Sequence, residues 1–221
     1  MSLAAQAPWG KMPAVQMLLV RHASAGQRQD WRGDDLDRPL DAVGAQQAAL
    51  VARRLAPLAP ARLLSSPARR CQQTMAPLAG ATGVAVELVP WLAVDSQQAA
   101  ASALTELMLA VDGRRLDEPG RLETEGPEAG ECQGGGLECD RTDARRTAPS
   151  GTAARPLVLC THGEVLAAVL PAVVAPALWY QAQADGAPPP PGAKAGTWVL
   201  DWHQGTVVGV RYWPPPTGPA C

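Results

Sequence analysis

Two of the three histidines in this 221-residue chain stand at the ends of apolar runs. Arg21-His22 follows Met17-Leu18-Leu19-Val20, and His162 follows Leu157-Val158-Leu159-Cys160-Thr161. A buried strand that ends in a histidine delivers an imidazole to the sheet edge where open α/β proteins place their ligands. A third short run, Arg62-Leu63-Leu64, leads into Ser65-Ser66-Pro67-Ala68-Arg69-Arg70, which can present Arg70 from the first turn of a helix. Phosphoryl transfer needs a nucleophile and fixed positive charge around the peripheral oxygens. The two strand-end histidines with Arg21 and Arg70 supply both. One such histidine alone is ordinarily structural; the duplication with matching arginines is what points to chemistry.

The elements that position these residues are legible from periodicity. Val15 to Val20 is a continuous apolar run of the kind that buried parallel strands show. Residues 21 to 40 form a charged loop. From Asp41 to Leu58 the apolar positions Val43, Ala48, Leu50, Val51, Leu55 and Leu58 fit an amphipathic helix ending near Pro57 or Pro60. Arg62 to Ser65 reads as the second strand. Pro67 suits the first turn of a helix running toward Gly80 or Gly83. Val84 to Leu88 reads as a third strand, and Ser96 to Val111 as a helix capped by Asp95 or Ser96. Leu157 to Thr161 is a strand, followed by a helix from Gly163 to about Ala175 that Pro171 and Pro176 interrupt. Pro188 to Pro191 is a stiff polyproline loop. Thr197 to Trp202 and Thr206 to Trp213, joined by His203-Gln204-Gly205, form a β-hairpin.

The residues 112–154 differ in character, with three leucines, no aromatic residue, no Val, Ile or Met, ten acidic and six basic residues. Such a segment buries too little apolar surface to offset its ordering entropy and reads as a disordered insertion. The expected organisation is a disordered tail over 1–14, a single domain over 15–213 interrupted by 112–154, and a second disordered tail over 214–221.

Leu19-Val20-Arg21-His22-Ala23, then Ser66-Pro67-x-x-Arg70 with Gln73-Thr74 behind it, then Thr161-His162-Gly163-Glu164, resembles the histidine phosphatase superfamily, also called phosphoglycerate mutase-like. The likeness covers roughly residues 16 to 111 and 155 to 213, and within the family it resembles the bacterial phosphohistidine phosphatase branch. It implies a three-layer α/β fold, a mostly parallel central sheet flanked by helices, with the C-terminal hairpin added. It also implies that His22 attacks phosphorus through one ring nitrogen while the other donates to a backbone carbonyl. Arg21 and Arg70 would grip the phosphoryl oxygens with their planar donor forks, and His162 would complete the cage. Gly163 would allow a close backbone approach at a helix N-terminus. Arg28 is a further candidate phosphate contact, equally readable as a solvated loop arginine. Arg69, His203 and Trp91 read as non-catalytic. Lys194-Ala195-Gly196-Thr197-Trp198-Val199-Leu200 resembles the C-terminal end of a branch that includes domains fused to Nudix hydrolases.

The sequence departs from the family at Leu92-Ala93-Val94-Asp95. Mutases and many phosphomonoesterases of the family carry a glutamate as proton donor where this chain has Val94. Asp95 and Glu164 are substitute candidates, neither at the matching position. An alkoxide leaving group needs a proton, whereas an imidazole, whose conjugate acid has a pKa near ~6.5, or a phosphate leaves far more readily. The resemblance and this departure together point to a phosphatase for phosphohistidine or another good-leaving-group substrate. A nucleotide or dinucleotide polyphosphate hydrolase and a catalytically silent phosphate-binding module are the alternatives.

Composition narrows the partners. A formal charge of −2 and a pI near 5.9 lack the basic excess of a nucleic-acid scaffold. Met17 to Val20 is far too short for a signal-peptide core or a membrane span. The five cysteines, Cys71, Cys132, Cys139, Cys160 and Cys221, show no metal-like CxxC spacing and suit a reducing cytosol. The expected partner is a phosphorylated small molecule or a phosphohistidine protein, with no nucleic acid, membrane, metal or cofactor, in the cytoplasm.

Overall fold

The computed structural model describes residues 15–112 and 155–218; the expected tail over 1–14, all of the expected insertion 112–154 but Asp112, which closes a helix, and the last three residues of the expected tail 214–221 lie outside the described residues. Six strands form one sheet: β1 (Val15–Arg21), β2 (Arg62–Ser65), β3 (Val86–Leu88), β4 (Leu157–Thr161), β5 (Thr197–His203) and β6 (Thr206–Trp213). Their spatial order is β3-β2-β4-β1-β5-β6. The pairs β1–β4, β2–β4 and β2–β3 are parallel, while β5 runs antiparallel to both β1 and β6. The sheet is therefore mostly parallel, with the C-terminal hairpin at one edge.

Side chains alternate across a strand, so a continuous apolar run feeds two cores at once. In β1, Met17 and Leu19 join one core with Leu157, Leu159, Trp198 and Leu200, whereas Leu18 and Val20 join the other with Leu63, Val158 and Val199. Helices α1 (Ala42–Leu55) and α2 (Arg69–Thr82) cover the second face. Helices α3 (Gln97–Asp112), α4 (Gly163–Val173) and α5 (Pro176–Ala184) cover the first. Three layers result, matching the architecture expected of the family.

Several local expectations shift. Val43 is 58% exposed, and the buried stripe of α1 runs through Gly44, Ala48, Val51, Ala52 and Leu55 instead. Helix α2 begins two residues after Pro67 and tolerates Pro77 internally. The third strand is shorter, starting at Val86. One helix was expected from Gly163 to Ala175; two form, because Pro176 lacks an N–H to continue α4 but suits the first position of α5. No single described helix is long and apolar enough to cross a membrane; α4 and α5 together would be, but are bent by 118°. Residues 214–218 continue without secondary structure, and the Pro214 carbonyl accepts a hydrogen bond from Arg54.

One junction ties the scaffold to the loop after β1. Asp41 caps α1 by accepting from the Gly44 N–H at 2.6 Å, and also accepts from the Ser24 hydroxyl at 2.7 Å and the Gly26 N–H at 2.9 Å. A Cβ on Gly44 would collide with the backbone carbonyl of Ser24, which cannot move independently of the chain. Gly44→Ala is expected to destabilise the fold by about 1–3 kcal/mol. Thermal unfolding checks this; an unchanged melting temperature would mean that α1 can retreat from the loop.

Candidate active site

Parallel pairing of β1 with β4 sets Arg21 opposite Thr161, so the next residue on each strand, His22 and His162, emerges at the same carboxyl edge. The His22 N–H donates to the Thr161 carbonyl at 2.9 Å, and the ring centroids are 5.3 Å apart at 65°. Strand β2, on the other side of β4, delivers Ser66 and the start of α2 to this edge. Arg70 is 2% exposed.

Hydrogen bonds fix both ring tautomers. His22 Nδ1 lies 2.8 Å from the Ala23 carbonyl, an acceptor only, so Nδ1 carries the proton and Nε2 keeps its lone pair. His162 Nδ1 lies 3.1 Å from Arg70 Nη2, a donor only, so it accepts and Nε2 carries the proton. That Nε2–H is 2.8 Å from Ser66 Oγ. Burial lowers the His22 pKa to about 3, with the charges of Arg70, Arg21 and Lys194 adding to the shift and the Ala23 hydrogen bond opposing it. His162 is also lowered to about 3, by burial first and then by Arg70 and His22. Both imidazoles are neutral at neutral pH, the form in which His22 is a nucleophile.

The arginines carry the signature of an anion seat. Arg21 Nη1 donates to the Gly192 carbonyl at 2.6 Å. Arg70 donates from Nη1 to the Asp35 carbonyl and from Nη2 to the Asp35 carboxylate at 2.9 Å. The Nε–H of each arginine is buried with no protein acceptor. A buried, unpaired cationic donor is costly, and two of them beside one neutral imidazole suit a ligand with several anionic oxygens. The cavity, about 200 Å³, is lined by Arg21, His22, Arg70 and His162 together with Val94 and Glu164.

Each residue singled out from sequence can now be placed. Arg28 lines the cavity from an exposed loop, 3.7 Å from Asp35. Gly163 opens α4, and a Cβ there would press on the Arg21 guanidinium at 3.0 Å, so the absent side chain admits that arginine. Glu164 lines the cavity; Asp95 is exposed in a 3-10 turn and does not. The Thr161 hydroxyl donates to the Leu92 carbonyl at 2.7 Å, holding the segment that carries Val94 against β4. Arg69 is exposed, His203 half-buried at the end of β5, and Trp91 packs on the edge of the core.

Sequence reasoning missed Asp35, Arg38 and Lys194. Arg38 is 8% exposed, donates from Nη1 to the Ala25 carbonyl at 2.8 Å and from Nε to Asp35 at 2.9 Å. Burial works against ionisation of Asp35, but the Arg38 hydrogen bond and the charges of Arg70, Arg38 and Arg28 hold its carboxyl below the usual range. The i,i+3 spacing of Asp35 and Arg38 ahead of Pro39 was the available signal. Among the described residues no three His, Cys, Asp or Glu side chains cluster so as to hold a metal ion.

Residues 17–93 match the family model of the histidine phosphatase superfamily (branch 1). Over 201 residues the chain is 27% identical to the 8-oxo-(d)GTP phosphatase of Mycolicibacterium smegmatis, covering 90% of this chain and 48% of that protein, so the chain spans about half the length of this curated relative. Among solved structures, a mycobacterial glucosyl-3-phosphoglycerate phosphatase complexed with VO3 superposes with a TM-score of 0.58 at 18% identity, over 92% of this chain and 100% of that one. The protein histidine phosphatase SixA complexed with tungstate gives 0.58 at 16% identity, over 91% and 97%. At such identities the structural likeness shows the fold.

Proposed function

We propose that this chain, whose residues 17–93 match the histidine phosphatase superfamily (branch 1), is a phosphatase that works through a phosphohistidine on His22 and takes phosphoryl groups from good leaving groups, phosphohistidine on a protein or a phosphoanhydride. The observation that carries the covalent reading is the His22 tautomer. Its Nδ1–H is committed to the Ala23 carbonyl, which leaves a neutral Nε2 in a cavity that Arg21 and Arg70 also line. Nε2 attacks phosphorus while Arg21 and Arg70 hold the peripheral oxygens; the leaving group departs with the P–O or P–N bonding pair. Water then attacks the phosphohistidine, and the pair of the P–N bond returns to Nε2 as inorganic phosphate leaves.

Substrate preference follows from the carboxylates that line the cavity. Val94 cannot donate a proton, and Asp35 is held ionised by three arginines. Hydrolysis of a phosphohistidine peptide or a nucleoside diphosphate is therefore expected to exceed that of 3-phosphoglycerate. Val94→Glu is expected to raise the ester rate selectively, by up to ~10²- to 10⁴-fold, since only the alkoxide gains much from protonation. A substrate panel on both proteins decides the matter. Equal rates on ester and phosphoramidate in the unaltered protein would assign the acid role to Glu164, which also lines the cavity. The second reading, a nucleotide polyphosphate hydrolase, is favoured by the likeness to the 8-oxo-(d)GTP phosphatase.

A further inference from the structure

Lys194 sits in a loop that is built with unusual care. The Ala195 N–H donates to the carbonyls of Arg21 at 3.0 Å and His22 at 3.3 Å, and the Arg21 N–H donates to the Gly196 carbonyl at 3.0 Å. The Ala193 N–H donates to the Tyr212 hydroxyl at 2.9 Å, and the Gly196 N–H to the Ala193 carbonyl at 3.0 Å. A Cβ on Gly192 or Gly196 would strike the Tyr212 ring. Ala195, fully buried, is held at φ 61°, in the left-handed region that an L side chain seldom enters. Strain of this kind persists where surrounding structure enforces it, and here it fixes the backbone of Lys194 beside the nucleophile.

The side chain of Lys194 is half-buried and lines the cavity with His22, Arg28 and Glu164. The charges of five cations converge there, from Arg21, Arg28, Arg38, Arg70 and Lys194, against Asp35 and Glu164. Arg21 is anchored to Gly192; Arg28, Arg38 and Arg70 all engage Asp35. Among the described residues Lys194 is the one cavity cation with no hydrogen bond and no ion pair within 4 Å, its charge reaching Asp41 and His22 only at longer range. A transferred phosphoryl group brings two negative charges, fewer than the net excess of the cavity. A second phosphate on the leaving-group side would complete the neutralisation, and the Lys194 ammonium can meet it as a mobile point charge.

We propose that Lys194 is a specificity-determining residue that binds the leaving-group phosphate of a phosphoanhydride, a nucleoside diphosphate or triphosphate, while Arg21 and Arg70 hold the phosphoryl group being transferred. This rests on the phospho-His22 reading. As the His22 Nε2–P bond forms, the bond from phosphorus to the bridging oxygen breaks, and its electron pair stays on the departing phosphate. Lys194 meets the charge that develops on that product.

The test compares Lys194→Met and Lys194→Arg with the unaltered protein on a nucleoside diphosphate, a phosphohistidine peptide and 3-phosphoglycerate, with thermal unfolding as the control for folding. Lys194→Met is expected to lower kcat/KM for the diphosphate by about 10- to 100-fold more than for the phosphohistidine peptide, the worth of one charge-assisted contact. Lys194→Arg should restore most of that difference. An equal loss on every substrate, no loss on any, or a loss confined to 3-phosphoglycerate would overturn the proposal. Radiolabel trapped on His22 from the phosphohistidine peptide reads the covalent mechanism separately, so failure of either can be told from failure of the other.

Discussion

His22→Ala is expected to abolish turnover on every substrate while leaving the protein folded. The ring supplies the attacking Nε2, and the second imidazole does not replace it: His162 Nδ1 is occupied by Arg70, and its Nε2 carries a proton directed at Ser66. The fold does not depend on the imidazole, because the backbone of His22 is held independently through its N–H to Thr161 and its carbonyl to Ala195. Residual hydrolysis from phosphoryl positioning by Arg21 and Arg70 would fall orders of magnitude below the parent rate, as expected where a covalent route is removed. Steady-state assays with far-UV circular dichroism check this. A variant that retains even a tenth of the activity would show that water attacks phosphorus directly.

The second large effect is expected at His162. Replacement by alanine removes the acceptor that aligns Arg70 Nη2 and the donor to Ser66 Oγ. Of its side-chain hydrogen bonds, Arg70 would then keep only those to Asp35. Loss of one preorganised electrostatic partner costs on the order of 10²- to 10³-fold in rate, and the loss should appear mainly in kcat. His162→Asn, which can still accept from Arg70, should recover part of it. If His162→Ala lowers the rate less than tenfold, the cage is not organised through this ring.

The two histidines and Arg21 were legible because each stands at the end of an apolar run that must be a strand, and Arg70 because it falls in the first turn of the helix that follows one. Met17–Val20 and Leu157–Thr161 are apolar on both faces, so they had to be central strands, and parallel pairing then brought His22 and His162 together. Position 94 was readable as a departure for the same reason, since it lies at a fixed distance from Leu92 in the motif. Lys194 and Arg38 were not legible as site residues. Lys194 reaches the cavity on a loop whose path is set by the long-range contact of Ala195 with β1, and Arg38 is held there by its bond to the Ala25 carbonyl, contacts that no local period encodes. The split between α4 and α5 was hidden because Pro171 sits inside α4 without ending it, whereas Pro176 begins a new helix. That Gly163 also makes room for the Arg21 guanidinium was not legible, because that contact is made across the sheet edge.

The central claim is the covalent intermediate, and rapid-quench trapping tests it most directly. Protein mixed with a radiolabelled phosphoryl donor and quenched in alkali within a single turnover should carry acid-labile, base-stable phosphate, and peptide mapping should place it on His22. The label should be absent from His22→Ala and should decay at the rate at which inorganic phosphate appears. Phosphate release without any labelled protein at times shorter than one turnover, or label on a residue other than His22, would contradict the account.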